Sequence, residues 1–313
     1  MKAIIYEKFG GSDVLHFGAA SDPVVGNDSV LVAVKAASLN VIDTRTREGL
    51  MRPLVNTKFP KIPGSDFAGI VLSVGKNVTG FKIGEAVFGA SDPLKGGSFA
   101  ERIAVPASQL ATKPESLSFE QAAALPVTGL AALYALRELG QAKRGQSVLI
   151  HGAGGALGLF AVQIAKTMGL QVTAVARGKG LDLARQFGAD RLIDYSKQDG
   201  TRFSQKFDII INASGKLPFG HAKSALTPSG RMIEPSPSIP VFIGSKIGNV
   251  FRRKKHLVLI TIAKRQDLDH LVAMFASGDL HITIAKTYAL ENAADAFAEM
   301  EMGGLIGKLV VTM

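Results

Sequence analysis

From Ser147 to Gly158 the chain reads Ser-Val-Leu-Ile-His-Gly-Ala-Gly-Gly-Ala-Leu-Gly, an apolar run that passes through four glycines into a helical pattern. Glycines at 152, 154, 155 and 158 let the backbone turn sharply and approach a ligand closely. The helix that follows offers unpaired N–H groups and a partial positive charge at its first turn, here Ala156 and Leu157. That is the chemistry of pyrophosphate recognition, and the flanking strand and helix make Gly152, Gly154, Gly155, Ala156, Leu157 and Gly158 candidate dinucleotide-binding residues. An acid at the end of the next strand, about 20 residues further on, would bind adenosine ribose hydroxyls. This chain has Val175-Ala176-Arg177-Gly178-Lys179 there, and Asp182 falls in the following helix. Two cations suit the 2′-phosphate of NADP, Arg177 through its planar fork and Lys179 as a point charge, so the expected cofactor is NADPH.

The elements that must hold these residues follow from the pattern along the chain. Residues 1–118 consist of short β-branched runs (30–34, 69–74, 86–88, 100–105) broken by Gly, Pro and Asp, which reads as an all-β unit. From residue 119 strands and helices alternate: a helix over 119–139 with Ser118 as its N-cap, a strand over 147–150, a helix over 157–168, a strand over 171–176, a helix over 181–187, and strands over 191–193 and 207–212. That alternation predicts an α/β unit, a doubly wound parallel sheet of the Rossmann type covered on both faces, over 119–282. Residues 283–313 return to strand, helix and strand and are expected to rejoin the first unit.

Composition narrows the chemistry further. The 313 residues include no cysteine, which removes disulfides, thiolate zinc sites, iron–sulfur clusters and cysteine nucleophiles, so redox chemistry must come from a bound cofactor. The N-terminus lacks the layout of a secretory signal, and the apolar stretch over 122–136 is interrupted by Pro126 and Gly129. A cytoplasmic protein is expected. The formal charge of +10 is mostly scattered; the one dense run is Arg252-Arg253-Lys254-Lys255-His256. It reads as a solvated loop, with weak contact to an anionic surface through residues 252–255 as the alternative. Without interleaved aromatics it does not read as a nucleic-acid site.

Further segments carry a resemblance. They are Ala37-Ser38-Leu39-Asn40-Val41-Ile42-Asp43, Phe59-Pro60-Lys61-Ile62-Pro63-Gly64-Ser65-Asp66-Phe67-Ala68-Gly69, Val78-Thr79-Gly80-Phe81-Lys82-Ile83-Gly84-Glu85, Gly97-Ser98-Phe99-Ala100-Glu101, and Phe187-Gly188-Ala189-Asp190 with Ile193-Asp194-Tyr195. In this order and spacing the chain resembles the medium-chain dehydrogenase/reductase superfamily, and within it the zinc-independent quinone oxidoreductase-like branch. The resemblance implies a GroES-like substrate unit beside the Rossmann unit. Where zinc-dependent relatives have a cysteine and a Gly-His-Glu, this chain has Asn40 and Gly64-Ser65-Asp66; asparagine and serine are not usual zinc ligands, so no metal is expected. The resemblance also implies that Asn40 orients the nicotinamide ribose or the substrate carbonyl, that Tyr195 joins Arg177 and Lys179 at the adenosine phosphate, that Ala213 and Ser214 bring backbone to the nicotinamide side, and that Lys308 closes over the cofactor. Asn40 has a second reading, as a turn asparagine bonded to local backbone. Relatives often carry a threonine where this chain has Ala131; Thr128, three residues earlier, is the candidate replacement.

The expected reaction is hydride transfer from NADPH to a conjugated carbonyl compound, an enone or quinone, with Asn40 as the donor to the developing enolate oxygen. No general acid stands out: Tyr6 and Tyr134 have suitable hydroxyls, but Tyr134 lies on an apolar helix face. His151, before the glycine turn, reads as structural. The alternative class is a non-catalytic NADPH-binding sensor that keeps the fold without turnover. A homodimer is compatible with either.

Overall fold

The computed structural model describes residues 1–55, 57–235 and 239–313. Among them, six parallel strands form one sheet in the spatial order Arg191–Asp194, Gln171–Ala176, Ser147–His151, Phe207–Asn212, Leu226–Glu234, Lys255–Val258. Helices cover both faces, so the central strands read as continuous apolar runs rather than alternating ones: Val148, Leu149 and Ile150 are all fully buried. The order reverses between Ser147–His151 and Phe207–Asn212, where His151 stands opposite Asn212 at the carboxyl ends of the two strands. Loops leaving such a reversal diverge and open a crevice, the usual ligand position in a sheet of this kind.

A second, seven-stranded sheet is mainly antiparallel, in the order Ile284–Ala289, Lys308–Thr312, Ser29–Ser38, Asp66–Val74, Ala86–Ala90, Leu110–Thr112, with Arg102–Pro106 also paired to Ser29–Ser38. Along Ser29–Ser38 burial alternates at first, placing Val30, Val32 and Val34 in a core with Phe67, Phe99 and Phe297. The C-terminal strand does rejoin this sheet: Val310 pairs with Ser38.

The helix expected over 119–139 is broken. Ser118 caps a first helix, Phe119–Ala124, by accepting the Gln121 N–H, and a second helix, Pro126–Tyr134, then starts with proline in its first turn. Proline has no N–H to donate and its ring clashes with the preceding turn, so it begins a helix more readily than it continues one. The first helix packs on the antiparallel sheet and the second on the helix Ala156–Thr167 of the parallel one, so this break is where the chain passes between the two units. The helix after Gln171–Ala176 begins at Gly178, three residues earlier than expected, with Arg177 as its N-cap.

Candidate active site

Three segments far apart in sequence meet because of strand register. Ser38 pairs with Asp66 on one side and Val310 on the other, which sets the end of one strand beside the beginnings of two others. Asn40, Asp66 and Lys308 arrive there together, 7%, 0% and 3% exposed. The Lys308 ammonium donates to Leu39 O and Asn40 Oδ1, both at 2.7 Å, and to Thr128 Oγ1 at 3.1 Å, and lies 3.4 Å from Asp66 Oδ2. Asn40 Nδ2 donates to Asp66 Oδ2 at 2.9 Å, and the Thr128 hydroxyl donates to Asn40 Oδ1 at 3.1 Å. An ammonium on one side and a carboxylate on the other leave only one way round for the Asn40 amide, oxygen toward Lys308 and nitrogen toward Asp66. Its side chain therefore serves this network, while Asn40 is also the N-cap of the helix Val41–Arg47.

Asp66 also accepts from the Ser38 hydroxyl at 3.1 Å and the Val127 N–H at 2.8 Å. The latter donor is available because Pro126 starts a new helix: Val127 lies in its first turn, where N–H groups lack intrahelical partners and a carboxylate is favoured. The same break places Thr128. Burial pushes the Asp66 carboxyl up, while the Lys308 charge and the converging donors pull it back. Burial likewise pushes the Lys308 ammonium down against the attraction of Asp66 and Asp43. With so many donors aimed at one carboxylate, the ionised Asp66–Lys308 pair is the state that the geometry satisfies.

Asp43, in the helix Val41–Arg47, accepts from Ser65 Oγ at 2.6 Å and from Asn40 N–H at 2.9 Å. Burial raises its carboxyl to about 7 and the Asp66 charge adds to this, against the pull of the Ser65 and Asn40 donors and Lys308. Two carboxyls thus share one buried cation, and Asp43 is the member that changes charge near neutrality. Sequence reading passed over Asp43 and Asp66 as candidates, although both stood in the motif segments; their signal was acids at positions that must be buried for those segments to pack.

At the sheet reversal the glycines have separable reasons. A Cβ on Gly152 would meet Ser214 N at 2.7 Å, one on Gly154 would meet Gly180 Cα at 2.8 Å, and one on Gly158 would meet Gly152 O at 2.2 Å. Gly155 has ordinary room, its nearest neighbour 3.7 Å away, so packing does not demand a glycine there and the start of helix Ala156–Thr167 is left bare. Ala156 and Leu157 form its first turn, half-buried, and Ser214, which follows Ala213, closes on Gly152 and donates its N–H to His151 O at 2.9 Å. Arg177 and Lys179 are exposed beyond the end of Gln171–Ala176, and the Arg177 guanidinium sits over the Tyr195 ring at 5.6 Å. A bare helix N-terminus with two solvent-facing cations and an aromatic ring beside it fits a phosphorylated dinucleotide. The structure so gathers the candidates into two groups: Asn40, Thr128 and Lys308 in the buried cluster, and the glycine turn with Arg177, Lys179 and Tyr195 along the parallel sheet.

Other residues take different places. His151 Nδ1 pairs with Ser214 Oγ at 2.6 Å, Ser214 donates to Asn212 Oδ1 at 3.1 Å, and Asn212 Nδ2 donates to Glu234 Oε2 at 2.8 Å, a chain that ties the ends of three adjacent strands. Burial lowers His151, which favours its neutral form. Burial raises Glu234, opposed by Asn212 and by the charge of Arg45 on the helix Val41–Arg47 of the other unit. Tyr134 donates to the Asp267 carboxylate, which Arg137 also holds, and Tyr6 is raised to about 12 by burial. Neither is a ready proton donor at neutral pH. The basic run is only partly solvated: Arg252 and Arg253 are exposed, but Lys254 and Lys255 donate to the carbonyls of Lys223 and Asn249, and His256 is buried and stacked on Phe219. This corrects the reading of the run as a free loop; Lys255 and His256 open a strand and are drawn into its packing.

Comparison with known proteins agrees with this layout. Residues 26–115 match the alcohol dehydrogenase GroES-like domain, and residues 187–311 match a family described as zinc-binding dehydrogenase. The chain is 32% identical to a chloroplastic quinone-oxidoreductase of Triphysaria versicolor, over 99% of this chain and 98% of the relative. The quinone oxidoreductase of Coxiella burnetii superimposes with a TM-score of 0.91 at 30% identity, covering 100% of this chain and 99% of that one. The Escherichia coli quinone oxidoreductase, solved in complex with NADPH, gives 0.86 at 26% identity with 100% of this chain and 99% of the other covered.

Proposed function

The chain belongs to the zinc-independent, quinone oxidoreductase-like branch of the medium-chain dehydrogenase/reductase superfamily, and we propose that it reduces quinones or enones with NADPH. The observation that carries the reading is the fixed Asn40 amide, whose nitrogen keeps a second hydrogen beyond the one given to Asp66. When bound, NADPH supplies the hydride. The glycine turn and the N-terminus of Ala156–Thr167 would hold its pyrophosphate, and Arg177, Lys179 and Tyr195 its 2′-phosphate and adenosine. Asn40 Nδ2 then donates to the acceptor's carbonyl oxygen, where negative charge develops as the β-carbon is reduced. Lys308 and Thr128 pull on Asn40 Oδ1 and make that N–H a stronger donor, because hydrogen bonds in series polarise one another. A conjugated acceptor already spreads the charge onto its oxygen, so an amide suffices where a simple carbonyl would call for a stronger electrophile.

Residues 1–118 and 283–313 are assigned to the acceptor and 119–282 to the cofactor, with Thr128 reaching across from the latter. The test is consumption of NADPH with a panel of quinones, enones, simple aldehydes and simple alcohols in the reverse direction. Turnover confined to the conjugated acceptors is expected. Turnover confined to simple aldehydes and alcohols would refute the substrate class, and tight NADPH binding without turnover of any acceptor would favour the sensor reading.

A further inference from the structure

The helix that Asn40 caps, Val41–Arg47, carries two arginines with different surroundings. Arg47 is fully buried, donates to Gly10 O and Glu301 and lies over the Phe297 ring, which ties the helix to its own unit. Arg45 is two residues from both Asp43 and Arg47, so it does not share their inward face. It is half-buried, roughly 7 Å along the helix axis from Asn40, and the acids that act on it are Glu234 and Glu48. Glu48 is exposed at the end of the same helix, whereas Glu234 is 8% exposed and belongs to the parallel sheet.

Glu234 is fixed without help from Arg45. It ends the strand Leu226–Glu234 one residue beyond the Ile211–Ile233 pair, which sets it level with Asn212, and Asn212 Nδ2 donates to it at 2.8 Å and to Leu217 O at 3.1 Å. These strand ends flank the sheet reversal, where ligands enter folds of this kind. Asn40 and Arg45 thus border the crevice from one unit and Glu234 from the other. A guanidinium drawn toward a carboxylate has five N–H donors, more than that carboxylate takes. Because Glu234 offsets its charge, the place suits a neutral oxygen better than a second carboxylate, which Glu234 would repel. A para-quinone has such an oxygen and a simple enone does not, since its second carbonyl lies across the ring from the first. Resting on the quinone or enone reduction proposed above, we propose that Arg45, positioned by Glu234, donates to the far carbonyl of a para-quinone while Asn40 takes the near one, which makes quinones the acceptors that this site selects. Arg45 binds and orients the ring and exchanges no proton, since a guanidinium stays charged across the working pH range.

Steady-state kinetics of the full chain with para-benzoquinone and with cyclohexenone, a ring of the same size with one carbonyl, test this beside NADPH titration. Arg45→Met should raise KM for the quinone by about tenfold or more, through loss of a hydrogen bond from a charged donor, with a smaller change in kcat. KM for cyclohexenone and NADPH affinity should stay as in the unaltered protein. Arg45→Lys, which keeps the charge but not the planar fork, should give a smaller rise and carries the test if the methionine variant does not fold. Glu234→Gln should raise the quinone KM in the same direction and, combined with Arg45→Met, add nothing further, because Glu234 acts through Arg45. Equal KM rises for both acceptors, or an unchanged quinone KM in the Arg45 variants, would overturn the proposal and leave quinone or enone reduction standing. So would weakened NADPH binding, which would give Arg45 to the cofactor. No turnover of either acceptor by the unaltered protein would remove this proposal together with the reading beneath it.

Discussion

The two ends of the proposed cofactor site are built on opposite principles. Around Asn40 the side chains of Asp66, Thr128 and Lys308 are partnered by one another and by Asn40, with Asp66 fully buried and Lys308 3% exposed. Around Arg177 the charges stand in water, and Tyr195 is 47% exposed. The first region is organised before anything binds, so its residues serve fold and chemistry together and a change to one strands the others. The second costs the fold little, and in the proposed function it acts only when a phosphate arrives. Substitutions should therefore separate: stability and turnover for the buried cluster, affinity and cofactor choice for the exposed one.

The strongest way to break this contrast is Lys308→Met. It leaves the Asp66 carboxylate buried without its cation and should cost about 3–5 kcal/mol of stability, measured by urea unfolding. A near-normal unfolding midpoint would mean that the cluster is not charge-balanced by Lys308.

Asp43 gives a pH signature of similar size. Its carboxyl is raised from 3.8 to about 7, so between those values the folded chain holds a proton that the unfolded chain has released. Stability from this group is complete below the unfolded value and falls as pH rises, by about 4 kcal/mol once pH exceeds the folded value. Unfolding from pH 4 to pH 8 should show this decline, and Asp43→Asn should flatten it. An equal slope in the variant would assign the pH dependence elsewhere.

Asn40→Ala sharpens the comparison within the buried cluster, since it removes the donor but leaves the Lys308–Asp66 pair. Turnover should drop about 10²-fold with little change in NADPH affinity. An unimpaired variant would sink Asn40 as the donor.

At the exposed end, Arg177→Ala should weaken NADPH binding by about tenfold or more, from loss of a charge-assisted contact of ~1.5–3 kcal/mol. NADH affinity and unfolding midpoint should be unchanged. Titration showing equal loss for both cofactors would remove Arg177 from the 2′-phosphate.

The parts of the molecule that were legible in the sequence are those whose signals are local. The glycine turn, the cations at 177 and 179 and the alternation of strand and helix after residue 119 each lie within one turn of chain or one period of hydrophobicity; the turn and the strands from 147 to 212 stand where they were read, while the helix over 119–139 breaks at Pro126 and the one expected from 181 begins at Gly178. The first sheet was only partly visible. Its long strand was read over 30–34 but spans Ser29–Ser38, because Lys35-Ala36-Ala37-Ser38 has little strand propensity of its own and is held by pairing with Asp66–Val74 and Lys308–Thr312.

The amino-acid sequence by itself determined which cofactor the chain is equipped for, because phosphate recognition uses groups that neighbour one another along the backbone. Only the tertiary structure decided what Asn40 does. Its partners lie 26, 88 and 268 residues away, brought in by strand register and by the helix that restarts at Pro126. The Lys308 ammonium meets Asn40, Thr128 and Asp66 for the same reason. The charge state of that cluster comes from burial, which no residue acquires until the sheets have closed around it.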